Sequence, residues 1–147
     1  MSVFDHSTRL KDCILGALVG DEIGKGAFRT VYPVTDELVL KVETSSRSFC
    51  NEHEWSIWQE VEGGMWAKWL APCVSIDEFG AALTMRRTTP MTDRQWAALK
   101  QVPNFLCDLK QANWGMLNGK PVCHDYGNHR FLRNGISAAR LVKRRDV

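Results

Sequence analysis

The sequence predicts an α+β fold built on an antiparallel sheet, and three observations carry that reading. Glycines alternate with β-forming residues across residues 23–32, the pattern of a hairpin with a glycine-rich tip. One amphipathic segment, residues 48–62, separates a third strand from a further strand pair. Only a small second half follows. Three strands, a helix and two strands in that order point to an antiparallel sheet rather than to alternating βα units.

The elements follow one another with little linker. Residues 1–19 predict a short helix carrying Cys13, Ile14, Leu15 and Leu18, weakened by Gly16 and Gly20. The hairpin of residues 23–32 is ended by Pro33 and a turn at Thr35, Asp36 and Glu37, and residues 38–42 form the third strand. On a helical wheel of residues 48–62, Cys50, Ile57, Trp58, Val61 and Met65 share one face, and Gly63-Gly64 stops the helix. Residues 72–77 and 81–86 read as two strands joined by a turn at Glu78, Phe79 and Gly80. Residues 92–101 predict a short helix capped by Thr92 or Asp93 and ended by Pro103. A turn at Asn118-Gly119 and a strand around residues 121–123 complete the second half.

Composition sets the class. At 147 residues the chain has the length of one domain, and 44% apolar with 24% charged residues suits a packed core. No run approaches the roughly 20 apolar residues of a membrane helix, and Asp5, His6 and Arg9 make the first ten residues unlike a secretory signal. Five scattered cysteines without a C-x-x-C pair argue against a disulfide framework or zinc site and for a reducing cytoplasm. Net charge is +2, unevenly spread: residues 1–129 hold 13 basic and 16 acidic residues, residues 130–147 six basic residues against Asp146. That basic tail reads either as a solvated end or as a contact for an acidic partner.

Five features bear on chemistry. Gly24-x-Gly26 at the hairpin tip is either an ordinary tight turn or a place where backbone N–H groups close over an anion. Lys41 lies between Leu40 and Val42 in an apolar strand, as a partnered buried cation or as an edge lysine. Glu54 falls at the middle of the apolar helix face, where a carboxylate needs a cation, and Lys41 is the nearest candidate. Glu52 falls almost opposite and should be solvated. Asp108 and Asn113, five apart in a loop, and Asp125 twelve further on offer oxygens of the kind that hold Mg²⁺ carried with a nucleotide's phosphates, or are simply turn and cap residues.

In this order, the five features resemble the protein kinase signature: glycine loop, strand Lys paired with helix Glu, D-L-x-x-x-N loop and D-F-G, here Asp125-Tyr126-Gly127. The resemblance implies a single kinase-like domain over 1–147, with a five-stranded antiparallel N-lobe sheet and one helix over about 19–87. A much reduced C-lobe over 88–128 and the basic tail of 129–147 complete it. It implies ATP and Mg²⁺ as cofactors. Gly24, Lys25, Gly26, Ala27 and Val31 would cover the phosphates, Lys41 held by Glu54 would touch them, and Met85 and Arg86 would line the adenine end. Asn113 and Asp125 would hold Mg²⁺, Asp108 would accept the proton of an attacking Ser or Thr hydroxyl, and Lys110 would neutralise the transferring group.

The chain also departs from the family. The third glycine of the loop is Arg29, Leu106-Cys107 stand where His-Arg normally precede the catalytic Asp, and no A-P-E or helical platform for a peptide follows Gly127. A chain so reduced suits a compact genome such as a bacteriophage's. A rival reading is therefore a kinase-like binding protein, an inhibitor or adaptor of a host protein, using exposed Trp66 and Trp69. A small-molecule kinase of the aminoglycoside phosphotransferase type would need a pocket this chain barely has length to build. Nucleic-acid binding through Arg130, Arg133, Arg140, Lys143, Arg144 and Arg145 has no recognition motif behind it. A homodimer would cover apolar surface that a larger kinase buries internally.

Overall fold

The structure is a computed structural model that describes residues 21–26, 28–44, 48–127 and 135–146. The helix expected over residues 1–19, Ala27, Arg130 and Arg133 lie outside the described residues.

Five strands form the main sheet: β1 (Gly24–Lys25), β2 (Arg29–Pro33), β3 (Leu38–Glu43), β4 (Cys73–Ile76) and β5 (Ala82–Arg86). Their spatial order is β1-β2-β3-β5-β4, with every neighbouring pair antiparallel. The fold is thus α+β around a five-stranded antiparallel sheet. Lys41 pairs with Val31 on one side and Leu83 on the other. It therefore belongs to an interior strand, not an edge.

The longest helix among the described residues, α1 (Cys50–Val61), crosses from β3 to β4. Its start has no side-chain cap of its own; Phe49 precedes it with a left-handed φ of 53°. Glu43, the last residue of β3, takes the cap's place by accepting the Asn51 N–H at 2.7 Å and the Ser48 hydroxyl. Ile57, Trp58 and Val61 are buried on one face as the wheel predicts, and Glu54 is buried among them. Met65 is not: the helix ends at Val61 and Met65 is 70% exposed beyond it. Glu52 is exposed.

The second half holds α2 (Asp93–Ala98), a three-stranded sheet of β6 (Thr89–Pro90), β8 (Trp114–Leu117) and β9 (Lys120–Cys123), and a pair of β7 (Gln101–Pro103) with β10 (Leu141–Lys143). Thr92 caps α2 in a reciprocal box with Gln95. The helix is shorter than residues 92–101, because Gln101–Pro103 pairs with Leu141–Lys143 instead of continuing it. The end of the basic tail is likewise built in, with the Arg144 guanidinium 4.0 Å above the Trp96 ring. Asn118 and Gly119, at φ 52° and 76°, make the two-residue turn between β8 and β9.

The halves join through the core. Leu70 bridges to Cys123, and Ala71 N–H donates to the Cys123 carbonyl at 2.9 Å. Trp66 and Trp69 are half-buried against this core, Trp66 edge-on to Phe105 at 5.9 Å. They do not form the exposed pair that a Trp-based docking surface requires. Among the described residues no helix is long and apolar enough to cross a membrane.

Candidate functional site

A cleft of about 820 Å³ opens between the sheet and the second half. Its roof is the β1–β2 tip with Gly24, Lys25, Gly26 and Val31; Met85, fully buried, and Val39 form the back. Its other wall runs through Lys110–Trp114 and His124–Asp125. Among the described residues six basic ones line it (Lys25, Arg29, Lys41, Arg86, Arg87, Lys110), against the one carboxylate of Asp125. The pairing register sets Leu83 and Met85 opposite Lys41 and Val39, on one face, and Arg86 opposite Leu38 on the other. Arg86 thus lies on the opposite face of β5 from Met85.

Lys41 and Glu54 meet beneath the cleft. Lys41 Nζ lies 2.8 Å from Glu54 Oε1 and also donates to the His124 carbonyl. Glu54 is completely buried, yet both oxygens are fully supplied with donors. Oε1 accepts from Arg29 at 2.6 Å as well as from Lys41; Oε2 accepts from Arg29 at 3.0 Å, Tyr126 N–H at 2.8 Å and Gly127 N–H at 3.3 Å. Burial alone would raise its pKa, but the charges and hydrogen bonds of Arg29 and Lys41 overcome that and hold it far below the usual carboxylate range.

Arg29 is the member that the sequence reading did not place. It stands two residues before Val31 on β2, so strand alternation puts it on the face of Lys41. That alternation is the signal that could have found it. Its guanidinium forks onto Glu54, reaches Asn51 Oδ1 at 3.2 Å and ion-pairs with Asp125 Oδ1 at 2.7 Å. Burial works against its charge, but Glu54 and Asp125 prevail and hold it more firmly protonated than a free arginine. Asn51, buried, spans the same region by donating to the Lys41 and Gly80 carbonyls.

Asp108 lies one residue removed from the cleft wall, 70% exposed and with a left-handed φ of 54°. Lys110 Nζ approaches its Oδ2 to 3.2 Å, and Asn113 Nδ2 donates to its carbonyl at 2.8 Å and to Oδ2 at 3.2 Å. The Lys110 and Asn113 hydrogen bonds lower its pKa, so the carboxylate stays ionised. His124, also unplaced by the motifs, staples this loop: Nε2 donates to the Ala112 carbonyl at 2.8 Å and Nδ1 accepts from Thr88 Oγ1 at 2.8 Å. A carbonyl can only accept, which fixes that tautomer.

The expected Mg²⁺ ligands, Asn113 and Asp125, both line the cleft. Asp125 gives Oδ1 to Arg29; Asn113 donates its amide nitrogen to Asp108, a bond that does not engage its Oδ1, the atom that would hold a cation; among the described residues no three His, Cys, Asp or Glu converge on a metal position. No protein-family model, curated protein or solved structure matches the chain.

Proposed function

We propose that the chain is an ATP-dependent phosphotransferase of the protein kinase type, acting on a Ser or Thr hydroxyl of a protein. The observation that carries this reading is the buried Lys41–Glu54 pair at the floor of a basic cleft roofed by a glycine hairpin. A volume of about 820 Å³ suits a nucleotide-sized ligand. The glycine hairpin closes over the phosphates and the Lys41 ammonium contacts them, while Met85 and Val39 supply apolar surface for the base. Asp108 orients the acceptor and takes its proton as the hydroxyl oxygen bonds to the γ-phosphorus and the bond to the β-phosphate oxygen breaks, releasing ADP. Lys110, beside Asp108, offsets charge on the transferring group, and Asn113 is a positioning residue for the Asp108 loop. Positioning and charge supply the acceleration.

Calorimetric titration with ATP, beside Lys41→Met of matched volume, tests the reading. Micromolar binding that disappears in a folded Lys41→Met is the expected result, and no binding by the native chain refutes it. One observation favours a second reading. Asp125 tied to Arg29 leaves the transfer machinery incomplete, as in a kinase-like binding protein that inhibits or adapts a host protein. Transfer of labelled phosphate to proteins of a host extract, lost in Asp108→Ala, would decide for the enzyme.

A further inference from the structure

We propose that Arg29 supplies, as a fixed part of this chain, the positive charge that the kinase signature leaves to a divalent cation at its D-x-G aspartate. The cleft then takes up a nucleotide's phosphates without depending on a divalent ion. The inference rests on the nucleotide reading above and specifies the form of the ligand: a triphosphate that need not bring a metal with it.

The hydrogen-bond count carries the argument. The two terminal nitrogens of Arg29 have four hydrogens and four acceptors: Asn51 Oδ1 and Glu54 Oε1 for one, Glu54 Oε2 and Asp125 Oδ1 for the other. Both terminal nitrogens are therefore saturated. The guanidinium is also immobile, because Glu54 is held in turn by Lys41 and by two main-chain N–H groups. Asp125, half-exposed at the cleft, is the partner able to move; Arg29, 8% exposed, is not.

Charge leads to the same place. Arg29 and Lys41 balance Glu54 and Asp125, so the cluster beneath the cleft is neutral without any ion. An unpaired Asp125 would repel incoming phosphates, and cancelling that repulsion is one service a metal performs. Arg29 already performs it at 2.7 Å. A divalent ion at the remaining Asp125 oxygen would stand beside a guanidinium that cannot withdraw. Arg29 occupies the place of the third loop glycine, a position that presents no side chain in the family pattern.

The test is calorimetric titration of the full chain with ATP and with inorganic tripolyphosphate, each in EDTA and in excess Mg²⁺ at 150 mM salt. Equal ATP affinity within threefold in the two buffers is expected. In Arg29→Gln, affinity in EDTA should drop tenfold or more and Mg²⁺ should restore it. A tenfold or greater loss on adding EDTA to the native chain overturns the inference and leaves the nucleotide reading standing. Tripolyphosphate binding in EDTA without ATP binding reverses that: the metal-free phosphate site stands and the nucleotide reading falls. Binding of neither overturns both. Should Arg29→Gln fail to fold, Mn²⁺ resonance on the native chain decides: an ATP-loaded chain that immobilises no Mn²⁺ supports the inference, and one that does overturns it.

Discussion

Glu54→Gln removes one charge and one acceptor while keeping the shape of the side chain, at the point where the largest number of buried donors converge. The Glu54 carboxylate accepts five hydrogen bonds, two at Oε1 and three at Oε2. Whichever way the new amide turns, its NH₂ meets either Lys41 with Arg29 or Arg29 with the Tyr126 N–H. Removing one partner from a buried ionic cluster costs about 3–5 kcal/mol. Against the roughly 5–15 kcal/mol that holds a domain together, this is about a fifth or more of the total. The midpoint of thermal unfolding should fall by about 6–20 °C. Urea unfolding followed by the fluorescence of the six tryptophans measures it, with exposed Glu52→Gln as control within about 0.5 kcal/mol. A Glu54→Gln chain within about 1 kcal/mol of the native one would refute the account of the cluster.

Gly127→Ala would place its Cβ 2.7 Å from the Cys50 carbonyl oxygen and 3.1 Å from Glu54 Cγ, and should cost about 1–3 kcal/mol in the same urea assay. Thr92→Ala removes the α2 capping box and should lower stability by about 1 kcal/mol, read from the urea midpoint. Burial, aided by the Lys41 charge, holds His124 below its ordinary value of 6.5. The folded chain therefore binds fewer protons than the unfolded one below about pH 6.5, so this contribution is present above that pH and lost as pH falls. Urea midpoints at pH 7.5 and 5.5 should diverge in the native chain and converge in His124→Gln. Under the proposed function, Asp108→Asn should slow labelled phosphate transfer by roughly 10²–10⁴-fold while calorimetric ATP affinity holds within a few-fold.

Local patterning made much of the sheet legible. Apolar residues on both sides of Lys41 left it either a buried cation or an edge lysine, and only the strand register makes it interior; the wheel put Glu54 rather than Glu52 on the buried face, where the 2.8 Å pair forms. Arg29 was read only as a missing glycine, because a motif compares residue types and does not follow a long side chain across a strand. Its alternation with Val31 held the information. The pairing of Gln101–Pro103 with Leu141–Lys143 joins segments about 40 residues apart, and neither segment alternates enough to announce a partner. Val102, fully buried, and Pro103 looked instead like a helix end. The charges of Lys143 and Arg144 suggested a solvated tail for the same reason: composition does not reveal that Trp96 lies beneath one of them.

The cluster around Glu54 also bears on how long the native state lasts. Its donors lie 13, 25 and 72 residues away along the chain. Each contact waits on loop closure, and charges surrender their water only when all partners are in place. The cluster therefore completes on the native side of the folding barrier. Interactions made after the barrier leave the folding rate alone and slow escape from the folded state. Glu54 and Arg29 then act as a kinetic lock: their loss should shorten the lifetime of the folded chain, and its resistance to proteases, more than it delays refolding.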